Sequence, residues 1–142
     1  MPWLPKTNVV VPIDFSDESI AAVETALELV ASPVRVHVIH VLPLLVASDP
    51  GIIWEAIDDE SRRQHALAAL RERLGAEAYQ GVDIAIAVGD PGEEIVRFAE
   101  SVNAELIVLP SHGRTGLKRL LIGSVAERVV RLAHCPVLVL KQ

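Results

Sequence analysis

The sequence predicts an open, doubly wound α/β domain, a five-stranded and mainly parallel sheet with four helices on its faces. Three observations carry this. Five short runs are rich in β-branched residues; a helical pattern with start or stop signals fills each interval; and 142 residues without a linker or internal repeat make one domain over 1–142.

The strand runs are "NVVVP" (8–12), "VRVHVIHV" (34–41), "VDIAIAVG" (82–89), "AELIVLP" (104–110) and "PVLVL" (136–140). Four are nearly continuous or strongly apolar, as expected of parallel strands buried on both faces. In the first helix, Ile20, Val23, Leu27 and Val30 recur at helical spacing, Ser16 is the expected N-cap, and Asp17 and Glu18 favour the positive helix end. The second runs roughly over 51–74, with Leu67, Leu70 and Leu74 on one face and Gly75 as the stop. The third has Asp90 as cap, Pro91 at the first helical position and Glu93 to complete a capping box. The fourth is expected to use Ser124 and Glu127 as a second capping box and to end before Pro136.

Composition narrows the function. Charged residues make up 23% and hydrophobic ones 51%, a globular balance. Thirteen basic against nineteen acidic side chains give a net charge of −6, which argues against nucleic acid as the main partner. Cys135 is the single cysteine, so no intrachain disulfide can form, which fits a reducing cytoplasm. The start "MPWLPKTNVVVPID" lacks a signal-peptide pattern, and "VLPLLVA" (41–47) is too short to cross a membrane. A cytoplasmic location follows as the expectation.

In doubly wound sheets, ligands bind beyond the carboxyl ends of the strands, where the strand order reverses. Two loops have suitable chemistry. "PIDFS" (12–16) leaves the first strand. "LPSHGRTGLKRLLIGSV" (109–125) holds three of the eight glycines and the basic Arg114, Lys118 and Arg119, with no acid between Glu105 and Glu127. Gly113 and Gly116 would allow close backbone approach to a ligand. Gly123 and Ser124 are expected to offer unpaired N–H groups at a helix start, the physics of a phosphate site. Neither G-x-G-x-x-G nor G-x-x-x-x-G-K-[ST] occurs.

Blander readings stand beside these. Asp14 suits a turn, Ser124 a cap, and the basic trio a solvated face. His37 and His40 read as hydrogen-bonded structural residues, alternating away from Val36 and Val38, rather than metal ligands. His112 lacks a nucleophile–base–orienter spacing, so no catalytic and no metal-binding residue is assigned. Cys135, before Pro136, reads as buried and inert.

Over essentially its full length the sequence resembles the universal stress protein family. "VVVPIDFS" (9–16), "VIHV" (38–41), "GDPGEEIV" (89–96) and "SHGRTGLKRLLIGSVAERVVRLAHCPVLVL" (111–140) carry the resemblance. It implies a Rossmann-like fold with strand order 3-2-1-4-5, a homodimer and, in one branch, ATP binding with Mg²⁺. The family's ATP motif is G-x2-G-x9-G-[ST]. Gly113, Gly123 and Ser124 match it here, while its first glycine falls on Pro110, which has no N–H to donate. The resemblance implies Pro12, Asp14 and Val41 around the adenosine, and Gly113, Gly123, Ser124 and Val125 around the ribose and phosphates, with Arg114 nearby. Two alternatives stay open: a nucleotide-free family member acting on an unidentified protein partner, and a slow ATP-hydrolysing enzyme. In the implied order, Pro136 to Leu140 forms the sheet edge, apolar on both faces, where pairing with a second copy is expected.

Overall fold

The computed structural model describes residues 2–44, 59–112 and 122–141. Its strands are β1 (Val9–Pro12), β2 (Val36–Leu42), β3 (Asp83–Val88), β4 (Leu106–Pro110) and β5 (Val137–Leu140). Its helices are α1 (Asp17–Glu28), α2 (Asp59–Arg73), α3 (Pro91–Ser101) and α4 (Ser124–Leu132). The sheet order is β3-β2-β1-β4-β5 and every pairing is parallel. The order reverses between β1 and β4.

The period-two alternation of β1 and β4 builds two cores. Val9, Val11, Leu106 and Val108 face one side with Ile20, Val23 and Ala26 of α1 and Leu70 of α2. Val10, Ile107 and Leu109 face the other, against Ile95 and Ala99 of α3 and Ala126 and Val129 of α4. β1 and β4 are buried on both faces because helices cover both.

Helix ends follow local chemistry, with corrections. Ser16 caps α1, its hydroxyl accepting from the Ser19 N–H. Asp90 caps α3 by accepting from the Glu93 N–H, with Pro91 next. The expected capping boxes are not completed. The Glu93 carboxylate instead takes Nη2 of Arg128 at 2.8 Å. At α4 the cap is Gly123, whose carbonyl accepts from Glu127 N–H; Ser124 is already helical and makes no cap bond, and Glu127 pairs with Arg131. Val34 and Arg35 are not strand: Pro33, with its fixed φ, starts a 3₁₀ turn over Pro33–Arg35. Of the second expected helix, residues 51–58 lie outside the described residues; Ala66 and Leu70 are buried, and the chain leaves the helix before Gly75.

Arg128 ties α4 to α3. It crosses Gly92, with Nη2 on Glu93 and Nε 3.1 Å from Asp90 Oδ2, a charge contact without hydrogen-bond alignment. A methyl group on Gly92 would lie 2.6 Å from Arg128 Cδ and 2.7 Å from Cγ. A Gly-to-Ala change inside a helix ordinarily stabilises by about 0.5–1 kcal/mol. Here the sign reverses: Gly92→Ala is expected to cost about 1–2 kcal/mol in urea unfolding. In an Arg128→Ala background the cost should fall, because only the 3.0 Å contact with Cβ of residue 128 remains.

Candidate functional site

The carboxyl ends of β1 and β4 form the switch point. Beyond β1 the chain makes a tight turn. Asp14 Oδ1 accepts from Ser16 N–H at 3.0 Å and from the Ser16 hydroxyl at 2.5 Å, while Asp14 N–H donates to Ser19 Oγ at 3.3 Å. Ser16 therefore caps α1 with its lone pair and locks Asp14 with its proton. The turn reading and the site reading of Asp14 are compatible: one oxygen builds the turn, at the sheet's carboxyl edge.

Phe15, between them, has φ of 67°, the left-handed region, which costs a bulky side chain roughly 1–3 kcal/mol. Two contacts hold it there. Its ring meets the His40 imidazole edge-to-face at 4.9 Å, and it packs against the α1-side core. His40 Nδ1 lies 2.7 Å from the Ile13 carbonyl oxygen, so Nδ1 carries the proton and donates. This corrects the expected placement of His40: at period two it shares a face with Val36 and Val38, and only His37 lies on the other. The structural reading of both histidines holds, since His37 bridges Asp83 Oδ2 at 2.9 Å and Asn8 Oδ1 at 3.1 Å. Among the described residues no cluster of three or more His, Cys, Asp or Glu can hold a metal.

Val41 lies in β2, half-buried and paired with Ala87 of β3. Ile13 N–H donates to Ile39 O, which sets the Asp14 turn beside that part of β2. On the β4 side, buried Ser111 donates its N–H to Leu140 O, and its carbonyl accepts from Gly123 N–H at 2.5 Å. The expectation of a free Gly123 N–H is thus corrected: that group fastens α4 to the end of β4. The first-turn N–H groups of Ser124, Val125 and Ala126 have no partner among the described residues, and Ser124 and Val125 are exposed. Pro12, Asp14, Val41, Gly123, Ser124 and Val125 therefore all belong to the carboxyl edge of the sheet. Gly113, Arg114, Gly116, Lys118 and Arg119 lie outside the described residues.

Sequence reasoning missed Phe15 and His40 as the elements that shape the turn. The only available signal was an aromatic between two helix-start polar residues. Cys135 lies elsewhere. It is half-buried rather than buried, because it lines a cavity with Val96, Ala99, Asn103, Ile107 and His134. Burial nonetheless pushes its thiol above the usual range.

An all-parallel α/β sheet with a polar turn and a helix start flanking its switch point is a domain of the doubly wound class. A model of the universal stress protein family matches residues 6–141, and the chain belongs to that family. It is 39% identical over 141 residues to universal stress protein MJ0531 of Methanocaldococcus jannaschii, covering 95% of this chain and 82% of that one. The solved structure of MJ0577, a universal stress protein of the same organism, has a TM-score of 0.72 and 28% identity, covering 98% of both chains. A universal stress protein solved in complex with cAMP has a TM-score of 0.63 and 26% identity, covering 96% of this chain and 98% of that one. Another, from Archaeoglobus fulgidus in complex with dAMP, has a TM-score of 0.54 and 26% identity, with the same coverage.

The turn geometry gives a direct expectation. His40→Ala removes the bond to Ile13 O and the ring contact with Phe15, and should cost about 1–2 kcal/mol in urea unfolding. His40→Asn, which keeps a donor near the Nδ1 position, should recover the hydrogen-bond share. Equal losses in both variants would show that the Ile13 bond contributes nothing.

Proposed function

We propose that this protein is a stress-response regulator that binds an adenine nucleotide at the β1–β4 switch point. One observation carries the reading: the locked Asp14 turn and the exposed first turn of α4 flank the same reversal of strand order. The cAMP and dAMP complexes of relatives support an adenine nucleotide as the ligand. In this reading the base lies near Pro12, Asp14 and Val41, and a phosphate takes the N–H groups of Ser124 and Val125, aided by the helix dipole. ATP with Mg²⁺ is one such ligand. Ser111 Oγ lies 3.2 Å from His112 Nδ1, but Ser111 is buried, so the proposed role is binding, with hydrolysis at most slow. No helix among the described residues is long and apolar enough to cross a membrane, and we place the protein's action in the cytoplasm.

A second reading is a nucleotide-free regulator acting through a protein partner. The engaged Gly123 N–H and the donorless Pro110 favour it, since both reduce the supply of phosphate donors.

Ser124→Glu separates these readings from effects on folding. An acid in a helix's first turn is stabilising, so the fold should be kept or slightly strengthened. A carboxylate at that point repels phosphate, so calorimetric titration with ATP–Mg²⁺ or AMP should show binding in wild type and a loss of at least about tenfold in the variant. Absence of heat from wild type at millimolar nucleotide would favour the nucleotide-free reading.

The dimer belongs to the same proposal. β5 is the last strand of the sheet, with Val137 and Val139 packed toward one core and Leu138 and Leu140 toward the other. Ladder alternation directs the N–H groups of Leu138 and Leu140 to β4 and those of Val137 and Val139 outward. Pairing of Pro136 to Leu140 with its copy across a two-fold axis would satisfy those outward groups. Multi-angle light scattering should give twice 15.4 kDa for wild type. Val139→Lys and Val139→Pro should shift it to monomer or aggregate; an unchanged dimer in both places the interface elsewhere.

A further inference from the structure

The outer flank of α4 lies above the last strand of the sheet and carries an apolar side chain that nothing covers. Successive helical residues are about 100° apart around the axis. Arg128 turns to α3, where it meets Asp90 and Glu93, while Ala126 and Val129 turn to the sheet. Val130 is about 200° from Arg128, so it lies on the flank away from α3 and beside the outer edge of β5. Val125 and Leu132 fall on the Arg128 side. Val130 is 47% exposed, more than either of these. A single exposed valine is ordinary by itself. Its surroundings decide what it is for.

Spacing is the first consideration. Ala126 and Val129 share one core with Ile107 and Leu109 of β4 and with Val137 and Val139 of β5, so α4 lies over the β4–β5 pair. Its axis is about half a strand spacing inside β5. Pairing of β5 with its copy uses a two-fold axis normal to the sheet, which leaves both α4 helices on the same face. Their axes would then be about two strand spacings, ~10 Å, apart, and helices pack at about 8–10 Å. Height agrees with this. α4 runs from Gly123, fastened to Ser111 at the carboxyl end of β4, down to Cys135 before β5, and Val130 falls near the middle.

Charge is the second. Glu127 lies one turn before Val130 on the same flank, and Arg131 adjoins it; both are exposed, with Glu127 Oε1 3.2 Å from Arg131 Nε. The acid is toward the start of the helix and the base toward its end. An antiparallel copy therefore sets each Glu127 against the partner's Arg131, on either side of a central valine pair. A parallel copy would set like against like. The flank is complementary to itself only under the two-fold operation that β5 pairing requires.

We propose that Glu127, Val130 and Arg131 form a helix–helix contact with a second copy of this chain, a second layer of the interface above β5. The contact rests on the β5 pairing of the proposed dimer, and it adds a side-chain layer that fixes the pairing partner.

Charge exchange between two variants tests it. Glu127→Lys leaves only bases beside Val130, and Arg131→Glu leaves only acids. Each variant alone should dimerise at least about tenfold more weakly than wild type in sedimentation equilibrium. Mixed in equal amounts, they should dimerise as tightly as wild type, and native mass spectrometry should find the mixed pair well above random pairing. A loss of fold cannot produce that recovery. Val130→Lys sets two ammonium groups together at the axis and should also weaken the dimer, with the circular dichroism unchanged, because lysine is a good helix former and the site is half exposed. Dimers as tight as wild type in all three variants, with random mixing, would overturn the contact. In that case a monomeric Val139→Pro would still uphold β5 pairing. A wild type that is monomeric throughout would overturn both.

Discussion

The hydrogen-bond ladder between β1 and β4 is the constraint on which the rest of the structure depends. It joins the two halves of the sheet through only two registered pairs. The Asp14 turn on one side and α4 on the other are positioned relative to each other across that seam and the two cores that cover it. The seam is strong where it exists, because Val9, Val10, Val11, Leu106, Ile107 and Val108 are almost wholly buried between two helical layers. Beyond it, Ile13 N–H bonds outward to Ile39 O and Ser111 N–H to Leu140 O.

Two fastenings then set the walls of the switch point. On one side, Asp14, Ser16 and Ser19 form a closed set of hydrogen bonds, and His40 holds the Ile13 carbonyl and the Phe15 ring. The left-handed Phe15 is tolerated because these contacts over-determine the turn. On the other side, the Ser111 carbonyl takes the Gly123 N–H and so fixes where α4 begins. The same bond removes Gly123 as an anion donor and leaves the next N–H groups without a partner among the described residues. A fixed turn and a fixed helix start at one switch point are pre-organised, which would lower the ordering cost of the proposed nucleotide binding.

Much of this was legible in the sequence. The five strands and the helix pattern could be read because buried parallel strands and amphipathic helices differ in period. Ser16 and Asp90 were readable as caps because capping is local chemistry. The α4 cap was not, because its placement depends on the long-range bond between Ser111 and Gly123. The face of His40 follows from simple alternation in β2. The left-handed Phe15 was illegible, since its support comes from β2 and the core.

The central claim is that ligand chemistry gathers at the switch point between β1 and β4. Titration of AMP into isotope-labelled protein, followed by backbone amide NMR, tests this most directly. The account predicts saturable shifts at Asp14, Val41, Ser124 and Val125, with little change around Cys135 and the end of α3. Shifts concentrated around Cys135 and α3, or none at millimolar AMP, would contradict it.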